Sequence, residues 1–336
     1  MRKILKKNMQ SMGKRGKKIQ AHTSSKKSAS KAKDKAHPMR VFVAAGSRSG
    51  HNPEYAQQAY ELGREIGRHN YQLTFGWSSI GIMGAVAQGV LESWSKKKDK
   101  LSKPLQGITT EHYLSLYTSD TKLDEIADVV VSRSLEERKK NLLQADFIVF
   151  APGGLGTLDE LAYDCITMQD GALKVKPFVL FNVGGFFHHL LEFLKDIHLK
   201  GFSDQMPFIV ADNVFEIQVS FAMIAYYQDR IRDKTMAAEV VAQIIHELPY
   251  VIEQQQAYPR KSVERILQEK ESVFKKANLV QKQELSRVIE EAYLKKEIQR
   301  MYDRLSSTSR DTALASHKLD KLRERIKETK AQNGFC

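Results

Sequence analysis

Cysteine is scarce: Cys165 and Cys336, far apart, are the only two in 336 residues. Without paired spacing there is no disulfide framework and no zinc-ligand pattern, and a reducing cytoplasm is the expected setting. No apolar run approaches the roughly 18 residues that a membrane-spanning helix needs. The basic N-terminus is followed by no continuous apolar segment, so it does not read as a secretory signal. No internal repeat is visible. Acidic residues are almost missing from positions 1–40, where 14 Lys and Arg meet a single acid, Asp34. That stretch carries the whole net charge of +13 and leaves 39 basic and 39 acidic residues in the remainder. The basic character therefore belongs to a tail and says nothing about the folded body.

What is present divides the chain. Residues 1–38 are rich in Lys, Ser and Ala and poor in large apolar side chains, which predicts a disordered basic tail. Such a tail is either a solubilising extension or a charge-driven contact for nucleic acid or an anionic surface. From Met39 short apolar runs alternate with helical patterns. Strands are expected over 40–45, 71–75, 105–109, 127–131, 147–150, 176–182 and 208–210, with helices between them. Asn52-Pro53 is a helix start, Asn as N-cap and Pro in the first turn. This alternation predicts a doubly wound α/β fold, Rossmann-like, with a mostly parallel sheet. Its ligand belongs at the carboxyl ends of the strands, where Gly46, Gly76, Arg138 and Gly153 all follow predicted strands. The expected divisions are a nucleotide-binding domain over 39–230, a helical extension over 231–305 and a polar tail over 306–336.

One stretch organises the rest: Asp146 to Glu160, DFIVFAPGGLGTLDE. Phe147-Ile148-Val149-Phe150 reads as a buried strand of a parallel sheet. Pro152-Gly153-Gly154-Leu155-Gly156-Thr157 leads from it to a helix expected near Leu158. Strand, glycine loop and helix start together make an anion cradle: the backbone can come close, and free N–H groups point at the ligand. Thr157 and Glu160 have two readings. They form a capping box, or Glu160 is a carboxylate held beside a bound phosphate and aimed at its sugar. Upstream, Ser134-x-x-Glu137 is another capping box opening a helix. Arg138 and Lys139 in that helix suit either a solvated charged face or bidentate contact with phosphate.

Leu135-Glu136-Glu137-Arg138-Lys139 together with Pro152-Gly153-Gly154-Leu155-Gly156-Thr157-Leu158-Asp159-Glu160 resembles the "Lonely Guy" (LOG) family, often labelled lysine decarboxylases. The motif PGGxGTxxE is matched in full, and the resemblance covers roughly residues 40–215. It implies a Rossmann-like homodimer or higher homo-oligomer with its site near the subunit interface. It implies phosphoribohydrolase activity on a nucleoside 5′-monophosphate such as AMP or a cytokinin-type nucleotide, with Arg138 and Glu160 as the catalytic pair. Gly46, Ser47, Lys139, Gly153, Gly154, Gly156 and Thr157 would then bind substrate, with no metal or cofactor. Two positions depart from the family pattern. Gly76-Trp77-Ser78 stands where three glycines are usual, so Trp77 is expected to crowd the ligand or stack on its base. Arg48 replaces a usual Ser.

Other classes fit the same sequence less well. A nucleotide-binding or carrier module could use this fold without chemistry. Gly46-Ser47-Arg48 with a basic tail also suits Rossmann-like DNA-processing proteins. A pyridoxal-phosphate decarboxylase would need a lysine in a pocket, and the candidate in Ser316-His317-Lys318 sits in a polar tail.

Overall fold

The computed structural model describes residues 38–98, 101–116, 126–172, 174–204, 206–232 and 236–307. The basic tail up to His37, and Ser316-His317-Lys318 near the other end, lie outside the described residues.

Seven parallel strands form one sheet: β1 (Arg40–Ala44), β2 (Gln72–Phe75), β3 (Leu105–Thr110), β4 (Ala127–Ser132), β5 (Phe147–Phe150), β6 (Phe178–Phe181) and β7 (Phe208–Ala211). Their order is β4-β3-β2-β1-β5-β6-β7. The chain winds outward from β1 to one edge, returns to pair β5 with β1, and winds out to the other. Phe42 stands opposite Ile148 and Ala44 opposite Phe150 at that central seam. The runs VFVA, FIVF and FVLF are continuously apolar because both faces of the inner strands are covered.

Alternate side chains feed two cores. Val41, Val43, Phe147, Val149, Val179 and Phe181 face one side, and Phe42, Ala44, Ile148, Phe150, Phe178 and Leu180 the other. The first side is covered by α1 (Pro53–Arg68), α2 (Gly81–Ser95) and, after a short α3 (Glu111–Leu116) and the helices of the opposite face, by later helices. The second side holds α4 (Leu135–Leu142), α5 (Leu155–Gln169) and α6 (His188–Leu199). Asn52 caps α1, its side chain accepting from the Glu54 N–H at 3.0 Å.

Beyond β7 the chain is helical: α7 (Val214–Arg232), α8 (Ala237–Ala257), α9 (Val263–Lys276) and α10 (Leu279–Ser307). Val240, Ile244, Leu248 and Val251 of α8 and Ile266 and Leu267 of α9 are buried in the same cluster as Val41 and Val149. The apolar stripes of these helices thus complete the core on that face of the sheet. Among the described residues no helix is long and apolar enough to cross a membrane.

Candidate active site

Strand order reverses between β1 and β5, which opens a crevice at their carboxyl ends. The loops that follow these strands are tied together there, the Gly46 N–H donating to the Pro152 carbonyl at 3.1 Å. The loop after β2 joins them through α2, whose Met83 N–H donates to the Gly46 carbonyl at 3.1 Å. Between the loops lies a cavity of about 650 Å³. Gly46, Ser47, Gly153, Gly154, Gly156, Thr157, Arg138 and Glu160 all line it, as does Arg48.

The glycines of the central loop divide by role. A Cβ on Gly153 would lie 2.1 Å from Thr157 Oγ1 and 2.9 Å from the Gly46 nitrogen, so this residue is where the two loops touch. Gly154 and Gly156 face open space, with no atom within 4 Å of a Cβ at either. Helix α5 begins three residues earlier than the sequence suggests. Gly154 is its N-cap, extended and without a side-chain cap bond. Thr157 is therefore not the cap but a buried residue of the first turn, and Glu160 is released from the capping box. The first N–H groups of α5 are left for a ligand on the open side of the glycines.

Arg138 reaches Glu160 from the opposite helix. Ser134 Oγ accepts from the Glu137 N–H at 3.1 Å, and Glu137 Oε2 accepts from Arg133 N at 2.8 Å. The expected box is thus present, with its return bond shifted one residue upstream. It sets the first turn of α4 so that Arg138 points inward. Arg138 Nε donates to the Ile108 carbonyl at 3.0 Å and Nη1 to Glu160 Oε1 at 3.0 Å. Its guanidinium also lies over the Tyr113 ring, 5.5 Å from the centroid. The two side chains are only 13% and 12% exposed. Burial raises the Glu160 carboxyl above its ordinary range, and the Arg138 charge and hydrogen bond oppose that rise.

Not every expected residue arrives. Lys139 does not line the cavity; it pairs with Asp159 at 2.7 Å and lies over the Tyr163 ring. Trp77 is turned away as well. It adopts φ 60, the backbone conformation a glycine would take there. Its ring is 7% exposed, packed on Phe75 and against Gly107, where a Cβ would meet it at 2.1 Å. Trp77 is a core residue under β3 and neither crowds the cavity nor can stack on a base within it. Sequence reasoning missed Tyr113 as a wall residue, because it stands on α3, a helix too short to show periodicity. Phe186 was missed too; it packs edge-on against Tyr55 at 5.6 Å and lines the cavity with it. Among the described residues no group of three or more His, Cys, Asp or Glu could hold a metal ion.

Sheet order, switch-point crevice and glycine loop define a Rossmann-like α/β protein with an Arg–Glu pair, largely withdrawn from solvent, beside that loop. Residues 83–218 match the family described as possible lysine decarboxylase. Cytokinin riboside 5′-monophosphate phosphoribohydrolase LOG7 of Arabidopsis thaliana is 31% identical over 168 residues, half of this chain and 72% of that protein. The probable cytokinin riboside 5′-monophosphate phosphoribohydrolase LOG4 of Oryza sativa subsp. japonica is 28% identical over 181 residues, 53% of this chain and 74% of that protein. The chain belongs to this LOG family. Among solved structures, the molybdenum cofactor binding protein from Rippkaea orientalis is 21% identical, covering 53% of this chain and 91% of that one, with a TM-score of 0.38.

Proposed function

We propose that this chain hydrolyses the N-glycosidic bond of a nucleoside 5′-monophosphate, AMP or a cytokinin-type nucleotide, to free base and ribose 5-phosphate. The observation that carries this reading is the buried Arg138–Glu160 pair opening onto the same cavity as the glycine cradle. A pure binder needs a phosphate cradle; it has no use for a carboxylate pinned one helical turn further in.

The amides of Gly154, Gly156 and Thr157 would hold the 5′-phosphate at the start of α5, with Gly46 and Ser47 closing the cradle from the other loop. The C1′–N bond breaks with its electron pair leaving on the base, and the sugar develops oxocarbenium character. Glu160 lies where its negative charge stabilises that cation or takes a proton from the attacking water. Arg138 holds the carboxylate in place and favours its ionised form against the cost of burial. Water supplies the hydroxyl at C1′ and its proton goes to the departing base. The chemistry is assigned to residues 39–230.

The site is also proposed to lie near a homodimer interface. Leu155, which lines the cavity, is 85% exposed, and Leu158 and Ile166 on α5 are exposed too. An apolar strip beside the cavity is what a second copy would cover.

The deciding experiment measures base release from AMP and N6-prenylated AMP, with Glu160→Ala as control. Release that requires both Glu160 and the 5′-phosphate is the expected result. Nucleotide bound but never cleaved by the wild type would place the chain among carriers instead.

A further inference from the structure

The cavity ends at Glu160, but the next turn of α5 carries a second acid on the same face. Asp164 follows Glu160 by four residues, the spacing that stacks side chains along a helix. It is 2% exposed and does not line the cavity. Its Oδ2 has no hydrogen-bond partner. The neighbouring Leu161, Cys165 and Met168 belong to the apolar core of that face.

The groups whose charge Asp164 feels come from every side. Glu160 lies before it and Cys165 beside it on α5, Lys176 comes from the segment entering β6, and Lys139 from α4. Both lysines are engaged elsewhere. Lys139 holds Asp159, and Lys176 Nζ donates to the carbonyls of Leu143 and Ala145. An ionised Asp164 would be a buried anion with no direct counter-ion, facing a second carboxylate.

We propose that Asp164 is a positioning residue for Glu160: a carboxylic acid kept neutral one turn behind it, so that Glu160 stays the single anion of the pair and remains on Arg138. The inference rests on the hydrolase reading for its kinetic consequence only. Burial first, and the Glu160 charge second, push the Asp164 carboxyl up to about 8, while Lys176, also desolvated, is pushed down to about 8. Glu160 accepts from Arg138 whereas Asp164 Oδ2 has no partner, so the proton the two carboxyls keep between them belongs on Asp164, and the two ionisations belong to the pair. Once Asp164 ionises, two anions on one helix face repel, and Glu160 is driven from its contact with Arg138.

Two measurements test this. In protein with 13C-labelled side-chain carboxyls, the Asp164 signal is expected to titrate near pH 8, with the Glu160 signal moving at the same midpoint. This requires no turnover, so it stands even if no nucleotide is cleaved. Against AMP, kcat of the wild type should fall about tenfold from pH 7 to pH 9, as one group of that pKa ionises, with little change in KM. Asp164→Asn, which mimics the neutral acid, should lose that fall. An Asp164 signal that titrates in the ordinary carboxylate range overturns the proposal. So does an alkaline fall that survives unchanged in D164N. If D164N does not fold, the wild-type carboxyl titration decides alone.

Discussion

Arg138 is held at three points, by the Ile108 carbonyl, the Glu160 carboxylate and the Tyr113 ring. Only a planar fork can serve all three, so Arg138→Lys is expected to fold normally and lose about 10²–10³ in kcat on AMP. Stopped or slowed base release with retained nucleotide binding would be the signature. Asp164 makes a prediction about stability that needs no substrate. Its folded pKa is raised from 3.8 to about 8, so the folded state holds a proton that the unfolded state has released. The contribution is fully present below about pH 4 and is lost as pH rises through 8. Urea denaturation should show the wild type losing stability relative to D164N over that window, with the gap levelling off above it. Trp77 gives a third expectation. Truncation to Ala should cost about 3–5 kcal/mol in denaturation yet leave the ranking of nucleotide substrates unaltered, because the ring lies outside the cavity. These residues also show what a sequence can reveal. The family resemblance pairs Arg138 with Glu160, and the structure brings the two side chains together. The placement of Trp77 was not legible, since nothing local says that a tryptophan will take a glycine's φ and turn inward under Gly107. Lys139 was misplaced because adjacent helix positions point about a quarter-turn apart, and one neighbour inward sends the other to Asp159.

At the scale of elements, the loop from β5 to α5 is a single device whose glycines are not interchangeable. Gly153→Ala would drive a methyl group into Thr157 and the Gly46 backbone, separating the two loops. Gly156→Ala meets nothing in the protein, so any loss it causes must come from the ligand side. The expected pattern is a lowered Tm for G153A, an unaltered Tm for G156A, and weakened phosphate binding in both by calorimetry. Local sequence rules read the presence of α5 but not its first residue. T-x-x-E imitates a capping box, and the contact that overrides it, Arg138 to Glu160, spans 22 residues. Ser134-x-x-Glu137, whose partners are all local, was read nearly as it stands. The strand order was beyond reach for the same reason: alternation predicts a parallel sheet, while only tertiary pairing puts β5 beside β1.

Among the described residues, the helices after β7 complete the core on one face of the sheet. Lys270 of α9 and Glu247 of α8 form an ion pair that is almost wholly buried, with Tyr227 of α7 accepting from Lys270 at 3.2 Å. Removing one partner leaves a buried charge, so Lys270→Ala should cost about 3–5 kcal/mol, whereas replacing both by apolar residues of similar size should cost far less. Thermal denaturation of the single and double variants checks this. On the other flank, Lys296 and Arg300 of α10 bind Asp212 at the end of β7 at 2.9 and 3.2 Å. These long-range ties join α10 to the sheet although nothing in the helical spacing announces them.

The seam between β1 and β5 has a consequence for how the protein comes into being. Strand β1 is made early, but the strand that flanks it on the far side is more than a hundred residues later. A growing chain can pair β1 with β2 and then add β3 and β4 beyond it, yet one side of β1 stays bare until Phe147–Phe150 has been synthesised. The loops that line the cavity come from both sides of that gap, so no partial chain holds the whole site. During translation the nascent half-sheet must instead be guarded by other means, and the exposed flank of β1 is where premature association would begin.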